Sequence, residues 1–104
     1  MRTRQAIDNF IEAVRLLYAD RLKRVILYGS CARNEATVDS DIDLGVVVAG
    51  EVIPGKEINR MINIITDINL EYDVLLPVCP LSEEDYPNRN SPFLINIRRE
   101  GILA

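Results

Sequence analysis

Val25-Ile26-Leu27-Tyr28-Gly29-Ser30 and, after ten intervening residues, Asp41-Ile42-Asp43-Leu44-Gly45-Val46-Val47-Val48 are the segments whose reading decides the fold. The first is a β-branched and aromatic run stopped by a glycine, which reads as a short strand. The second opens with alternation and ends as an unbroken apolar run, the pattern of a strand entering a covered sheet interior from an exposed end. Between them, Ser30 to Ser40 is polar and has no apolar period. Asp41 and Asp43 stand at i and i+2, so on a strand they project from one face, about 6.6 Å apart along the chain. That spacing lets both ligate one hard cation or bridge a pair, and magnesium takes one or two carboxylates together with phosphate oxygens and water. Gly29 has no Cβ to keep a phosphate from the backbone. The Ser30 hydroxyl and the amides after it can donate to phosphate oxygens, above all if a helix begins there.

Working outward, Ile7, Phe10, Ile11, Val14, Leu17 and Tyr18 recur with a 3.6-residue period and predict an amphipathic helix from Thr3 to Arg21. Gly50 to Gly55 reads as a loop, and Lys56 to Asn69 as a second helix carrying Ile58, Met61, Ile62 and Ile65. A third strand is expected over Glu71–Val78, closed by Pro77 and Pro80. It carries Asp73 near its start, where a neighbouring second strand would complete a cluster of three acids. Ser82 to Asp85 suggests a short helical turn. Ser91-Pro92 suggests the start of a last helix, with Phe93, Leu94 and Ile97 on its apolar face and Gly101 at its end. The expected fold class is α+β: a small mixed sheet of Val25–Tyr28, Asp41–Val48 and Glu71–Val78 with helices mainly on one face, in a single domain over residues 1–104.

With 104 residues, 48% of them hydrophobic and 27% charged, the chain has the composition of a globular protein. It contains no histidine, which removes Ser-His and Cys-His nucleophile pairs, imidazole bases and His-containing zinc sites together. Chemistry is left to carboxylates, hydroxyls, backbone amides, Lys and Arg, or a metal. A net charge of −4 argues against affinity gained by neutralising a run of nucleic-acid phosphates. Three clustered carboxylates would repel one another without a cation. Cys31 and Cys79 are too few for a disulfide framework; Cys31 has no base partner and Cys79 reads as packing. Arg98-Arg99-Glu100 reads as a solvated helix end, and the tyrosines at 18, 28, 72 and 86 as core or surface residues. Neither a signal-peptide core nor an apolar run long enough to span a membrane is evident, so a cytoplasmic protein is expected.

Val25 to Arg33 followed by Ser40-Asp41-Ile42-Asp43-Leu44 resembles the minimal nucleotidyltransferases of the DNA-polymerase-β superfamily. That family shows a Gly-Ser, ten residues, an Asp-x-Asp and a third carboxylate on a later strand; Asn34 stands here where a glycine is common. The resemblance implies a polymerase-β-like nucleotidyltransferase fold and two Mg²⁺ ions on Asp41 and Asp43, with Asp73 joining them near the attacking hydroxyl. It also implies that Gly29 and Ser30 hold the β- and γ-phosphates of ATP. Arg33, three residues past Ser30, would add charge to the triphosphate if a helix starts there.

Minimal nucleotidyltransferases are commonly encoded beside an all-helical HEPN protein. There the nucleotidyltransferase is the antitoxin and transfers AMP from ATP to a tyrosine of the HEPN ribonuclease. The expected activity is therefore Mg²⁺-dependent adenylyl transfer to a protein hydroxyl, with a HEPN protein as partner and neither nucleic acid nor membrane bound directly. Two other readings stay open: an antitoxin that neutralises its partner by covering it without chemistry, and nucleotidyl transfer to a small molecule of the aminoglycoside type, to which Glu83, Glu84 and Asp85 could contribute.

Overall fold

A computed structural model describes residues 2–29, 41–88, 94, 98 and 101–103. Helix α1 (Arg2–Tyr18) is followed by a 3-10 turn (Ala19–Arg21), and strand β1 (Leu22–Tyr28) comes next. Strand β2 (Asp43–Val48), helix α2 (Pro54–Tyr72), strand β3 (Val78–Ser82), the short helix α3 (Asp85–Asn88) and strand β4 (Ile102–Leu103) complete the described elements. The four strands form one mixed sheet in the order β3-β2-β1-β4. β1 runs antiparallel to β2 and β4, whereas β2 and β3 are parallel.

Periodicity explains which face each element buries. On α1, Ala6, Ile7, Phe10, Val14 and Tyr18 are buried, and on α2 Glu57, Met61, Ile65 and Ile68 follow the same helical spacing. Both helices pack on the face of the sheet built from Val25 and Leu27 of β1 and from Ile42, Leu44, Val46 and Val48 at and along β2. The α+β class, with its two long helices on one face, follows from this arrangement. Alternation sends Ile26, Val47 and Leu81 to the opposite face, where Leu94 covers them and Tyr28, Cys79 and Tyr86 pack alongside.

The third strand departs from the sequence reading. The segment Glu71–Val78 is not a strand: Glu71 and Tyr72 end α2, Asp73 caps that helix, and only Val78 belongs to β3. Tyr72 continues the buried series Met61, Ile65, Ile68, so the helical period outlasts Asn69. Asn69 then stops the helix: its carbonyl accepts the N–H groups of Asp73 and Val74, and its side-chain oxygen accepts the Leu76 N–H at 3.1 Å. Asp73 takes the left-handed conformation, φ +53°, which aspartate tolerates better than most side chains. Pro80 lies inside β3 rather than after it, which is acceptable because β3 is an edge strand and needs no outward donor.

Smaller differences concern boundaries. β1 begins at Leu22, α2 begins with Pro54 in its first turn, and Ser82 ends β3 while its hydroxyl accepts the Glu84 and Asp85 N–H groups at 3.1 and 3.3 Å. The expected last helix falls mostly outside the described residues, within which Leu94 and Arg98 are helical.

Candidate functional site

β1 ends where β2 begins, because the two strands are antiparallel and Tyr28 pairs with Asp43. Gly29, the residue after β1, has φ +73° and lies against the Asp43 carboxylate; a Cβ built on Gly29 would collide with Asp43 Oδ2. Glycine is thus required twice, by the backbone conformation and by the close approach of the acid. Asp43 is half-buried at this junction and Asp41 is exposed. The backbone between them is extended: Ile42 N–H donates to Leu75 C=O at 2.9 Å and Leu44 N–H to Pro77 C=O at 3.0 Å. Ile42 and Leu44 point into the helix-covered core, which leaves Asp41 and Asp43 on the opposite face of the sheet, as their spacing predicts.

β3 is parallel to β2, so the chain entering it passes the same end of the sheet. In the register of Leu44 with Val78, residue 75 lies level with Asp41, and Asp73 falls two residues before that position. Asp73 is exposed there as a helix cap, and among the described residues no three acids or cysteines are close enough to form a metal-holding group. The expected three-acid cluster is therefore not assembled, although the topology brings Gly29, Asp41, Asp43 and Asp73 to one end of the sheet. Ser30, Arg33 and Cys31 lie outside the described residues.

Two neighbours escaped the sequence reading as parts of this site. Tyr28 packs on the same face as Asp43; burial, reinforced by Cys79 and Asp43 nearby, pushes its phenol up to about 12. Burial also pushes the Cys79 thiol up. Both side chains are therefore neutral near pH 7, and Asp43 has an uncharged wall on this side. The signal was available in the alternation of β1, which puts Tyr28 two residues after Ile26 on the face away from the helices. Two carboxylates on one face of an extended segment at an open strand end offer hard oxygen donors, a donor set that fits Mg²⁺.

Residues 7–101 match the family model described as nucleotidyltransferase domain. The chain belongs to the nucleotidyltransferase domain family and is a nucleotidyltransferase. A Methanocaldococcus jannaschii protein named "putative protein adenylyltransferase MJ0604" is 33% identical over 102 residues, covering 97% of this chain and 96% of its own length. A second protein of that organism, named "putative protein adenylyltransferase MJ0141", is 35% identical over 72 residues, covering 69% and 72% of the two chains.

The fold is shared with a crystal structure named "a putative nucleotidyltransferase from Sulfolobus solfataricus", with TM-score 0.71 and 20% identity over 98% of this chain and 80% of that one. It is also shared with a toxin–antitoxin structure containing AMP-PNP, with TM-score 0.64 and 14% identity over 92% of this chain and 70% of that one. A mutant of the toxin–antitoxin MntA–HpeT, carrying two aspartate-to-glutamate replacements two positions apart, matches with TM-score 0.59 and 13% identity over 91% and 70% of the chains.

Proposed function

We propose that this chain, acting as one domain over residues 1–104, transfers AMP from ATP to a tyrosine hydroxyl of a HEPN partner protein in the cytoplasm and serves there as the antitoxin. The single observation that carries the reading is the junction of Gly29 with Asp43, beside Asp41, at the open end of the β1–β2 pair. The names of the relatives support protein adenylylation, and the toxin–antitoxin neighbours, one of them containing AMP-PNP, support a partner protein and a nucleotide.

In this proposal Asp41 and Asp43 would hold two Mg²⁺ ions, with Asp73 as the third acid. Gly29 lets the triphosphate approach the backbone, and Ser30 and Arg33 bind its β- and γ-phosphates. Mg²⁺ held there would supply charge neutralisation for the attacking oxygen and the departing pyrophosphate. The acceptor hydroxyl oxygen forms a bond to the α-phosphorus while the bond from that phosphorus to the bridging oxygen breaks, releasing pyrophosphate, and the hydroxyl proton passes to Asp73. Asp73 is two residues out of level with Asp41, and cation binding offsets the repulsion that bringing three carboxylates together would cost.

The test is label transfer from α-³²P-ATP with Mg²⁺ to the protein encoded beside this chain. Label should appear with the native chain and vanish with Asp41→Asn or Asp43→Asn. Undiminished labelling by both variants, or none by the native chain, overturns the proposal. Neutralisation of the partner by a double variant that leaves it unlabelled is the outcome expected of a binding-only antitoxin.

A further inference from the structure

The helix-covered side of the molecule carries a feature that nucleotidyl transfer does not use. α1 and α2 lie side by side, tied by a bond from the Tyr18 hydroxyl to Glu57 Oε1 at 2.8 Å and by another between Asn9 and Tyr72. On the surface away from the sheet they leave a valley of about 320 Å³. Its floor is Ala13, Ile64 and Ile68, and Leu16, 81% exposed, stands at its side. The lining positions fall at i, i+3, i+4 and i+7 on both helices, the spacing that receives the ridge of another helix. All three ionisable side chains among the described lining residues are carboxylates: Glu12, Asp67 and Glu71.

We propose that this valley seats an amphipathic helix of the partner protein, with leucine-like residues on its inner face and lysine or arginine along its flanks. The inference deepens the reading of the chain as half of a two-protein system and rests on it. Charge selects the occupant: an acidic rim favours a basic helix and disfavours an acidic one. Asp41 and Asp43 face the other side of the sheet, so a helix seated here leaves the reacting end open. The larger groove between α1 and β1, about 800 Å³ and edged by Arg15, Lys23 and Arg24, is a weaker candidate. There the β1–β2 register shifts between Leu22 and Arg24, and a bulge bearing a lysine discourages strand addition.

The experiment uses the full chain and two synthetic helical peptides, with leucines on one face and either lysines or glutamates on the flanks, followed by amide chemical shifts. The lysine peptide should bind, weaken as salt rises, and shift residues 9–16 and 64–71. Leu16→Glu, at an exposed position that leaves the fold intact, should weaken binding at least about tenfold. Glu12→Lys, Asp67→Lys and Glu71→Lys together should transfer preference to the glutamate peptide. Asp41→Asn with Asp43→Asn should bind the lysine peptide unchanged, which separates failure of this inference from failure of the chemistry. No binding, equal binding of both peptides, or shifts elsewhere would overturn it. So would a concentration-dependent dimer abolished by Leu16→Glu, which would make a second copy the occupant.

Discussion

Replacing Gly29 with alanine perturbs the backbone and the acid together. The residue has φ +73°, where a Cβ costs about 1–2 kcal/mol through its contact with the following carbonyl. The added Cβ also lands on Asp43 Oδ2, and the carboxylate must withdraw by about 1 Å to restore ordinary contact, a misplacement that in active sites costs on the order of 10²-fold in rate. Stability should therefore fall by about 1–3 kcal/mol, or roughly 4–8 °C in Tm per kcal/mol. Transfer should fall about 100-fold or more in protein that is still folded. Thermal melting by circular dichroism gives the first quantity, and label transfer from α-³²P-ATP at a temperature well below Tm gives the second. A Gly29→Ala protein with native Tm and native transfer would refute the reasoning, because neither the backbone nor the Asp43 contact would then constrain the site.

Asp41→Asn or Asp43→Asn should lower transfer by about 10²-fold or more while leaving the melting curve close to native, and chelation of divalent cations should abolish transfer by the native chain. Tyr18→Phe leaves the buried Glu57 carboxylate without its hydroxyl donor and, among the described residues, with Arg60 at 3.8 Å as its remaining partner, so urea unfolding should show a loss of about 1–3 kcal/mol. Tyr18 is pushed up to about 12, first by burial and then by Glu57, from an unfolded value near 10. The stabilisation from its neutral form is complete below pH 10 and is lost as pH rises from 10 to 12. Tyr28, also pushed up, contributes in the same window, so chemical denaturation should show a decline for the native protein that exceeds the decline of Tyr18→Phe by about 2–3 kcal/mol.

Much of the architecture was legible because it is written in periodicity. The burial of Phe10, Val14 and Tyr18 on α1 follows the 3.6-residue repeat, and the entry of β2 from exposed Asp41 into fully buried Val46–Val48 follows the change from alternation to an apolar run. The third strand was not legible, because Leu70 to Val78 is apolar enough for either element. What decides it is the Asn69 side chain capping a helix that the sequence pattern had ended there, together with the tolerance of an edge strand for Pro80. The spacing marked Gly29, Asp41 and Asp43 as site residues, but the contact of Gly29 with Asp43 was not legible because it depends on the antiparallel pairing of β1 with β2, and the offset of Asp73 depends on that unforeseen helix end. Glu57 stands four residues before Met61 on the buried face of α2, so its burial was readable from the period, but its partner Tyr18 on another helix was not.

Intact-mass spectrometry of the protein encoded beside this chain, after incubation with the chain, ATP and Mg²⁺, measures the proposed transfer with no label or coupled step. The expected result is a mass gain of one or more AMP units on a tyrosine of that protein, absent when Asp41→Asn, Asp43→Asn replaces the native chain. An unmodified partner held in a stable complex, with ATP and with every other nucleoside triphosphate, would contradict adenylyl transfer and leave a subunit that acts by binding.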